Sequence, residues 1–340
     1  MKAPWSSHNE RTLFQALNGP NNSIKSRYDA EKFLFNQSTS KKSTERYVSW
    51  MIALSILSSE NDKACTNLLQ LVSEYELMLN SKLNDHINDP LSALSDDTKF
   101  QIQNDLNRTI QFFNEHATSS NLPNTKKSSA LLRASRILTL LQLSDSSFHY
   151  LQGYERYVFV CYLISVLFTT ENDLPDIVAE ASAYYLSSKM IELSGAAKIL
   201  SNSSLLEQHF HKLDEKLVNI NASLMNHLTF SQQSSINFAL RWELLLFAEE
   251  HNYHGLVLIW DRIIAHRQMI HQYIESLILA HFAQLPETRL NNVQHFKEWN
   301  IKQLLDDAEK YASQHSYFHW SKALMVAITV GAVSLVKLIH

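Results

Sequence analysis

The spacing of apolar residues divides the chain into a polar beginning, a long helical middle and an apolar end. Residues 1–45 are polar and interrupted. They predict a short helix near Arg11–Leu17 and then a flexible connector through the low-complexity run NQSTSKKST. From Arg46 the apolar residues return at three- and four-residue steps, through RYVSWMIALSILSS and CTNLLQLVSEYELMLN, the period of a helix with one buried face. Ser95, Asp96 and Asp97 offer caps for a helix through QIQNDLNRTIQFF, and TSSNLPNTKKSS (118–129) reads as a loop. LLRASRILTLL is amphipathic. YVFVCYLISVLF (157–168) is apolar nearly all round, too short to span a bilayer, and predicts a buried core helix. Its β-branched residues also allow a strand, which the scarcity of nearby turn residues disfavours.

Further helical stretches follow in DIVAEASAYYLSSKMIELS, LLEQHFHKLDEKLVNINASLMNHL, INFALRWELLLFAEEH and LVLIWDRIIAHRQMIHQYIESLILAHFAQL. Residues 286–320, polar with scattered aromatics, read as a helix and linker. The end, SKALMVAITVGAVSLVKLIH (321–340), has an uncharged core from Ala323 to Val336. That core is shorter than the ~20 residues of a usual spanning helix. With Lys337 snorkelling and Leu338 and Ile339 added, it reaches across a thin bilayer of about 27 Å. A core helix is the alternative. Only Thr329 and Ser334 interrupt the apolar surface, which favours a C-terminal membrane anchor.

Composition narrows the fold to all-α. Five Gly and six Pro in 340 residues are too few for a turn-rich β architecture and suit long helices with polar connectors. A net charge of −4 with no basic stripe leaves no footprint for nucleic acid. Cys65 and Cys161 lie in apolar helical contexts, so the reading is buried, reduced thiols and no disulfide framework. Histidines are frequent, but His209 and His211 sit two apart on a helix, and His251 and His254 flank a turn. Neither set has metal-ligand spacing, and no metal site is expected. The chain carries no phosphate-binding loop of its own.

Two short motifs carry the candidate chemistry. Ile102, Asp105 and Arg108 step along one helix at three-residue intervals, with Thr109 next, so Asp105 and Arg108 are close enough to pair. Alone, this is a solvated surface pair worth a few tenths of a kcal/mol. Tyr150-Leu151-Gln152-Gly153 joins a polar turn to the apolar helix, where a Gln can present its amide into a cleft and a Gly permits close backbone approach; alone, such a pair is usually an ordinary loop.

Taken together and in order, the motifs resemble the TBC domain of Rab GTPase-activating proteins over roughly residues 40–285. Arg46 and Trp50 match R-x-x-x-W. Ile102, Asp105 and Arg108 match I-x-x-D-x-x-R, and Tyr150 with Gln152 matches Y-x-Q. Arg241-Trp242 and Trp260-Asp261 are similar to the late RW and WD helices. The Pro common after the Thr is absent here, and Tyr154 stands where Met is common. The resemblance implies an all-α TBC-like domain of two helical subdomains over 46–285. It also implies a Rab-family small GTPase as partner, with Arg108 and Gln152 as fingers supplied in trans. Asp105 would position Arg108; Tyr150, Gly153, Ile102 and Thr109 would support the two. Arg46 and Arg241 are expected to pair with carboxylates such as Asp261, and Trp50, Trp242 and Trp260 to be core. No cofactor of its own is implied, since GTP and Mg²⁺ belong to the partner.

QGY before an apolar helix, with the apolar end, is similar to the endoplasmic-reticulum-anchored branch that acts on the Rab of the early secretory pathway, in ER-to-Golgi vesicle transport. That branch implies a catalytic domain on the cytosolic face of the endoplasmic reticulum, the alternative being a cytoplasmic protein. The opposing reading of the whole is a catalytically silent scaffold or tether that binds a GTPase.

Overall fold

Helix α8 (Tyr154–Glu171) organises the fold because its sequence leaves it no polar face. From Tyr157 to Phe168 every side chain is buried, with Val158, Phe159, Cys161, Tyr162, Val166 and Phe168 fully so. A helix apolar all round must be surrounded. The computed structural model, which describes residues 6–36, 42–286, 296 and 298–314, shows by what. Before α8 come α1 (Ser7–Asn18), α2 (Arg27–Phe35), α3 (Ser43–Ala53), α4 (Asn61–Met78), α5 (Asp96–Ser119), α6 (Asn124–Lys127) and α7 (Ala130–Ser144). After it come α9 (Asp176–Ser194), α10 (Ala196–Leu200), α11 (Ser203–Ile220), α12 (Ala222–Phe230), α13 (Ile236–Leu244), α14 (Tyr253–Ala265), α15 (Ile270–Ala283) and a helix over 301–314. The described residues contain no strand, as an all-α fold requires.

The chain folds as two compact units. The first takes the described residues up to Leu205 together with Arg241–Arg267; the second takes Leu206–Leu240 and the described residues from Gln268 onward. In the first unit α8 packs against α9, α3, α5 and α7, while α14 packs on α2, α3 and α5. Tyr47 of α3 stacks on Phe168 at 3.9 Å between centroids, and Phe113 of α5 meets Phe159 at 5.3 Å. In the second unit Phe238 stacks on Phe282, Lys216 pairs with Glu275, and Asp214 accepts the backbone N–H of Ser235 at 2.8 Å. His281 there is fully buried and gives Nδ1 to the Leu277 carbonyl; burial lowers its pKa to about 3, so the ring is neutral.

Several expectations need correction. The short helix expected near Arg11–Leu17 is present as α1, but the connector expected after it holds a second helix, α2. Residues 6–36 form α1 and α2, capped by Ser6 on the N–H of Asn9 and Ser26 on that of Asp29. Leu13, Ala30 and Leu34 are fully buried, which binds both helices into the first unit. The loop read over 118–129 contains the end of α5 and all of α6. The stretch LLEQHFHKLDEKLVNINASLMNHL divides at Asn221, whose side chain caps α12. The helix expected through INFALRWELLLFAEEH stops at Leu244, and the long one from Leu256 to Leu285 breaks between α14 and α15. Among the described residues no helix is long and apolar enough to cross a membrane, and the stretch 321–340 lies outside them.

Arg46 and Asp261 form a buried ion pair between α3 and α14, with side chains 4% and 0% exposed. Arg46 Nε donates to both carboxylate oxygens at 3.2 and 3.3 Å, and Trp50 Nε1 donates to Asp261 Oδ1 at 2.7 Å. Trp50 also stacks on Trp260 at 5.9 Å, and both rings are fully buried. Arg241 also pairs with carboxylates, as expected, in its case Glu250 and Glu249. Trp242 packs in the core beside Phe247. Both cysteines are buried free thiols, and burial pushes Cys161 up to about 12. Removing one partner of a buried pair leaves an uncompensated charge, so Asp261→Ala should cost about 3–5 kcal/mol of stability. Urea denaturation followed by circular dichroism measures it; a loss under about 1 kcal/mol would contradict the pair's role.

Candidate functional site

Helix α5 presents a mixed inner stripe. Ile102, Asp105, Leu106, Thr109, Phe113, His116 and Ala117 are its buried positions, spaced to face one way, and three of them are polar. A buried carboxylate and hydroxyl on a core stripe need partners. Asp105 takes one hydrogen bond from Arg108 Nη2 and another from the Tyr150 hydroxyl at 3.0 Å. Arg108 itself stands at the edge of the stripe with its side chain 64% exposed. Ser95 occupies the N-cap position of α5, but its hydroxyl donates to Thr98 Oγ1 rather than accepting a helix N–H.

The second segment is the turn leading into α8. Gln142 holds it from α7, donating to the Phe148 carbonyl at 3.1 Å and accepting the N–H of Tyr150 at 3.1 Å. Gly153 then stands at the N-cap of α8 with φ 109°, a left-handed conformation that L side chains rarely adopt. A Cβ there would come 2.6 Å from Leu245 Cδ2. Gln152, just before it, is exposed, and its carboxamide makes no hydrogen bond within the described residues.

Between the two segments lies Glu155, fully buried in the first turn of α8. Its Oε1 accepts from Thr109 Oγ1 of α5 at 3.1 Å and from Arg156 Nη1. Its Oε2 accepts from the Tyr150 hydroxyl at 2.7 Å and the Gly153 N–H at 2.8 Å. Tyr150 therefore lies between two carboxylates with one proton to give. Burial first, then Glu155 and Asp105, push its pKa far above the usual phenol range, so it stays a donor. Arg156 is held in turn by Glu249, with Nε donating at 2.6 Å.

The structure thus brings Asp105, Thr109, Tyr150 and Gly153 into one hydrogen-bonded group through Glu155, with Ile102 buried on the same helix as Asp105 and both Arg108 and Gln152 exposed. Arg46, Trp50, Trp260 and Asp261 stand apart as a structural cluster. Sequence reasoning missed Glu155, Arg156 and Glu249. The available signal was an acidic residue directly before an otherwise apolar helix, where burial demands that it be paired. Chemically, the arrangement offers outward-facing guanidinium N–H donors and a carboxamide that donates and accepts, the equipment for an anionic ligand with a water beside it. Among the described residues no cluster of His, Cys, Asp or Glu could hold a metal ion.

The profile of the Rab-GTPase-TBC domain matches residues 44–287, most of the chain. The chain belongs to the Rab-GTPase-TBC domain family. Its fold is similar to the crystal structure of the Ypt/Rab-GAP domain of Gyp1p, with TM-score 0.62 and 17% identity over 89% of this chain and 99% of that one. A comparison with curated protein sequences finds no match.

Gly153→Ala adds a strained left-handed alanine and a clash with Leu245. It should lower stability by about 1–3 kcal/mol, read as a lower thermal midpoint. An unchanged midpoint would mean the turn relaxes freely.

Proposed function

We propose that this chain stimulates GTP hydrolysis by a Rab-type GTPase, with Arg108 and Gln152 entering the partner's nucleotide site in trans. Family membership gives the partner class. The observation that carries the roles is the exposure of both side chains from segments tied together beneath them. Hydrolysis spreads charge over the transferring phosphoryl group and its leaving oxygen, so the catalyst must add positive charge and place a water. Arg108 supplies the first through a planar fork of donors that a lysine lacks. The Gln152 carboxamide accepts from the attacking water while donating to the phosphoryl oxygens. Such an arginine contributes ~10³–10⁵ in rate.

Arg108 rests on Asp105, its own side chain largely in solvent and the carboxylate buried. Moving the guanidinium onto a phosphate exchanges one anionic partner for another and leaves Asp105 with the Tyr150 hydroxyl, whose single proton Glu155 shares. The nucleotide and Mg²⁺ are the partner's, and this chain contributes no cofactor. The apolar stretch 321–340 supports the finer reading of a tail anchor that holds the domain on the cytosolic face of the endoplasmic reticulum. Together with Gln152-Gly153-Tyr154, it supports a Rab of the early secretory pathway as the substrate.

Single-turnover hydrolysis across a panel of GTP-loaded Rab-type GTPases tests the roles. Arg108→Ala and Gln152→Ala should each lower the stimulated rate at least ~100-fold with helical content unchanged. Equal rates for wild type and Arg108→Ala would remove the catalytic reading and leave a scaffold. Deleting 321–340 should move the protein from the membrane fraction to the soluble one; unchanged sedimentation would count against the anchor.

A further inference from the structure

We propose that Glu155 is the positioning residue of this site: its buried carboxylate locks the Gln152 turn onto the helix that carries Arg108, so the two exposed side chains meet a partner as a preset pair. The inference deepens the function proposed above and rests on it for its catalytic consequence. A carboxylate has about four acceptor sites, and here four donors engage it. Two, the Tyr150 hydroxyl and the Gly153 N–H, flank Gln152 in the turn. The third, Thr109 Oγ1, belongs to α5 one residue after Arg108. The fourth, Arg156, neutralises the carboxylate and is itself fixed by Glu249. Glu155 is 0% exposed, so water cannot replace a lost donor, and each bond is enforced by the cost of leaving it unmade.

The consequence is one of placement. Phosphoryl transfer depends on position and electrostatics rather than on covalent steps by the protein, and a misplacement of about 1 Å costs ~10²-fold. A carboxylate that merely stabilised the start of α8 would affect stability without singling out Gln152. The two roles separate in the full chain.

Glu155→Gln keeps the side-chain volume but turns an NH₂ toward two of the four donors. In single-turnover hydrolysis with a GTPase that wild type stimulates, it should lower the maximal rate at least ~10-fold. The concentration giving half-maximal stimulation should change less than ~3-fold. In a Gln152→Ala background the same substitution should cost less than ~2-fold, because the group it positions is gone. Thr109→Val, which removes only the α5 donor, should reproduce the pattern at smaller amplitude. Amide hydrogen exchange, read without any GTPase, should quicken at least ~10-fold at Gly153 in Glu155→Gln while amides of α9 keep wild-type rates. An undiminished loss in the Gln152→Ala background would overturn the proposal, as would unchanged exchange at Gly153 or faster exchange throughout α9. Should wild type stimulate no GTPase, the proposed function fails, and the exchange comparison alone decides whether Glu155 locks the turn.

Discussion

A carboxylate with no access to water is the constraint on which the site depends. Removing an ion like Glu155 from solvent costs several kcal/mol, and only good geometry with a full set of donors offsets it. The donors to Glu155 lie on α5, which carries Arg108, on the turn that carries Gln152, and on α8 itself at Arg156. Apolar packing, Phe113 on Phe159 included, sets α5 against α8, and satisfying the buried carboxylate then ties residue 109 to residues 150–153. The exposed chemistry is the outer surface of an inner electrostatic requirement.

The same device recurs in the first unit. Asp261 of α14 is buried and served by Arg46 and Trp50 of α3. Glu180 of α9, also fully buried, takes the Tyr75 hydroxyl of α4 at 2.9 Å together with Arg133 and Arg136 of α7. Each carboxylate ties an inner helix to one far away in sequence. Helices packed by aliphatic side chains alone tolerate sliding and repacking, whereas a buried ion leaves few registers without an orphaned charge. Such ties need not raise net stability; they narrow the set of arrangements available to the helices.

Much of this was legible in the sequence, for reasons particular residues make plain. The apolar run through α8 announced a buried helix because no face was left for solvent. Arg108 and Gln152 were singled out by motifs of fixed spacing, and both are exposed, as groups offered to another molecule must be. Glu155 was missed although Tyr150, Gly153 and Arg156 lie within five residues of it; only Thr109 comes from elsewhere in the chain. Helix α2 was missed although Ser26 and Asp29 form a local start signal, outweighed in the reading by the polar composition around it. The end of α13 had no signal: Leu244, Leu245, Leu246 and Phe247 run on without Gly or Pro. Yet Leu246 and Phe247 are left-handed, at φ 46° and 60°. Trp260 donates to the Leu246 carbonyl at 3.0 Å and Tyr157 to that of Leu244 at 2.8 Å, so tertiary hydrogen bonds override local helix preference there.

The central claim is that a guanidinium and a carboxamide from two tied segments complete another molecule's nucleotide pocket. The most direct measurement is a structure of the chain bound to a Rab-type GTPase loaded with GDP and aluminium fluoride, a mimic of the transferring phosphoryl group. The account predicts the Arg108 guanidinium off Asp105 and about 3 Å from a fluoride or the bridging oxygen, with the Gln152 carboxamide at similar distance from the in-line water. A complex in which either side chain points away from the nucleotide, while the partner's own residues fill both places, would contradict it.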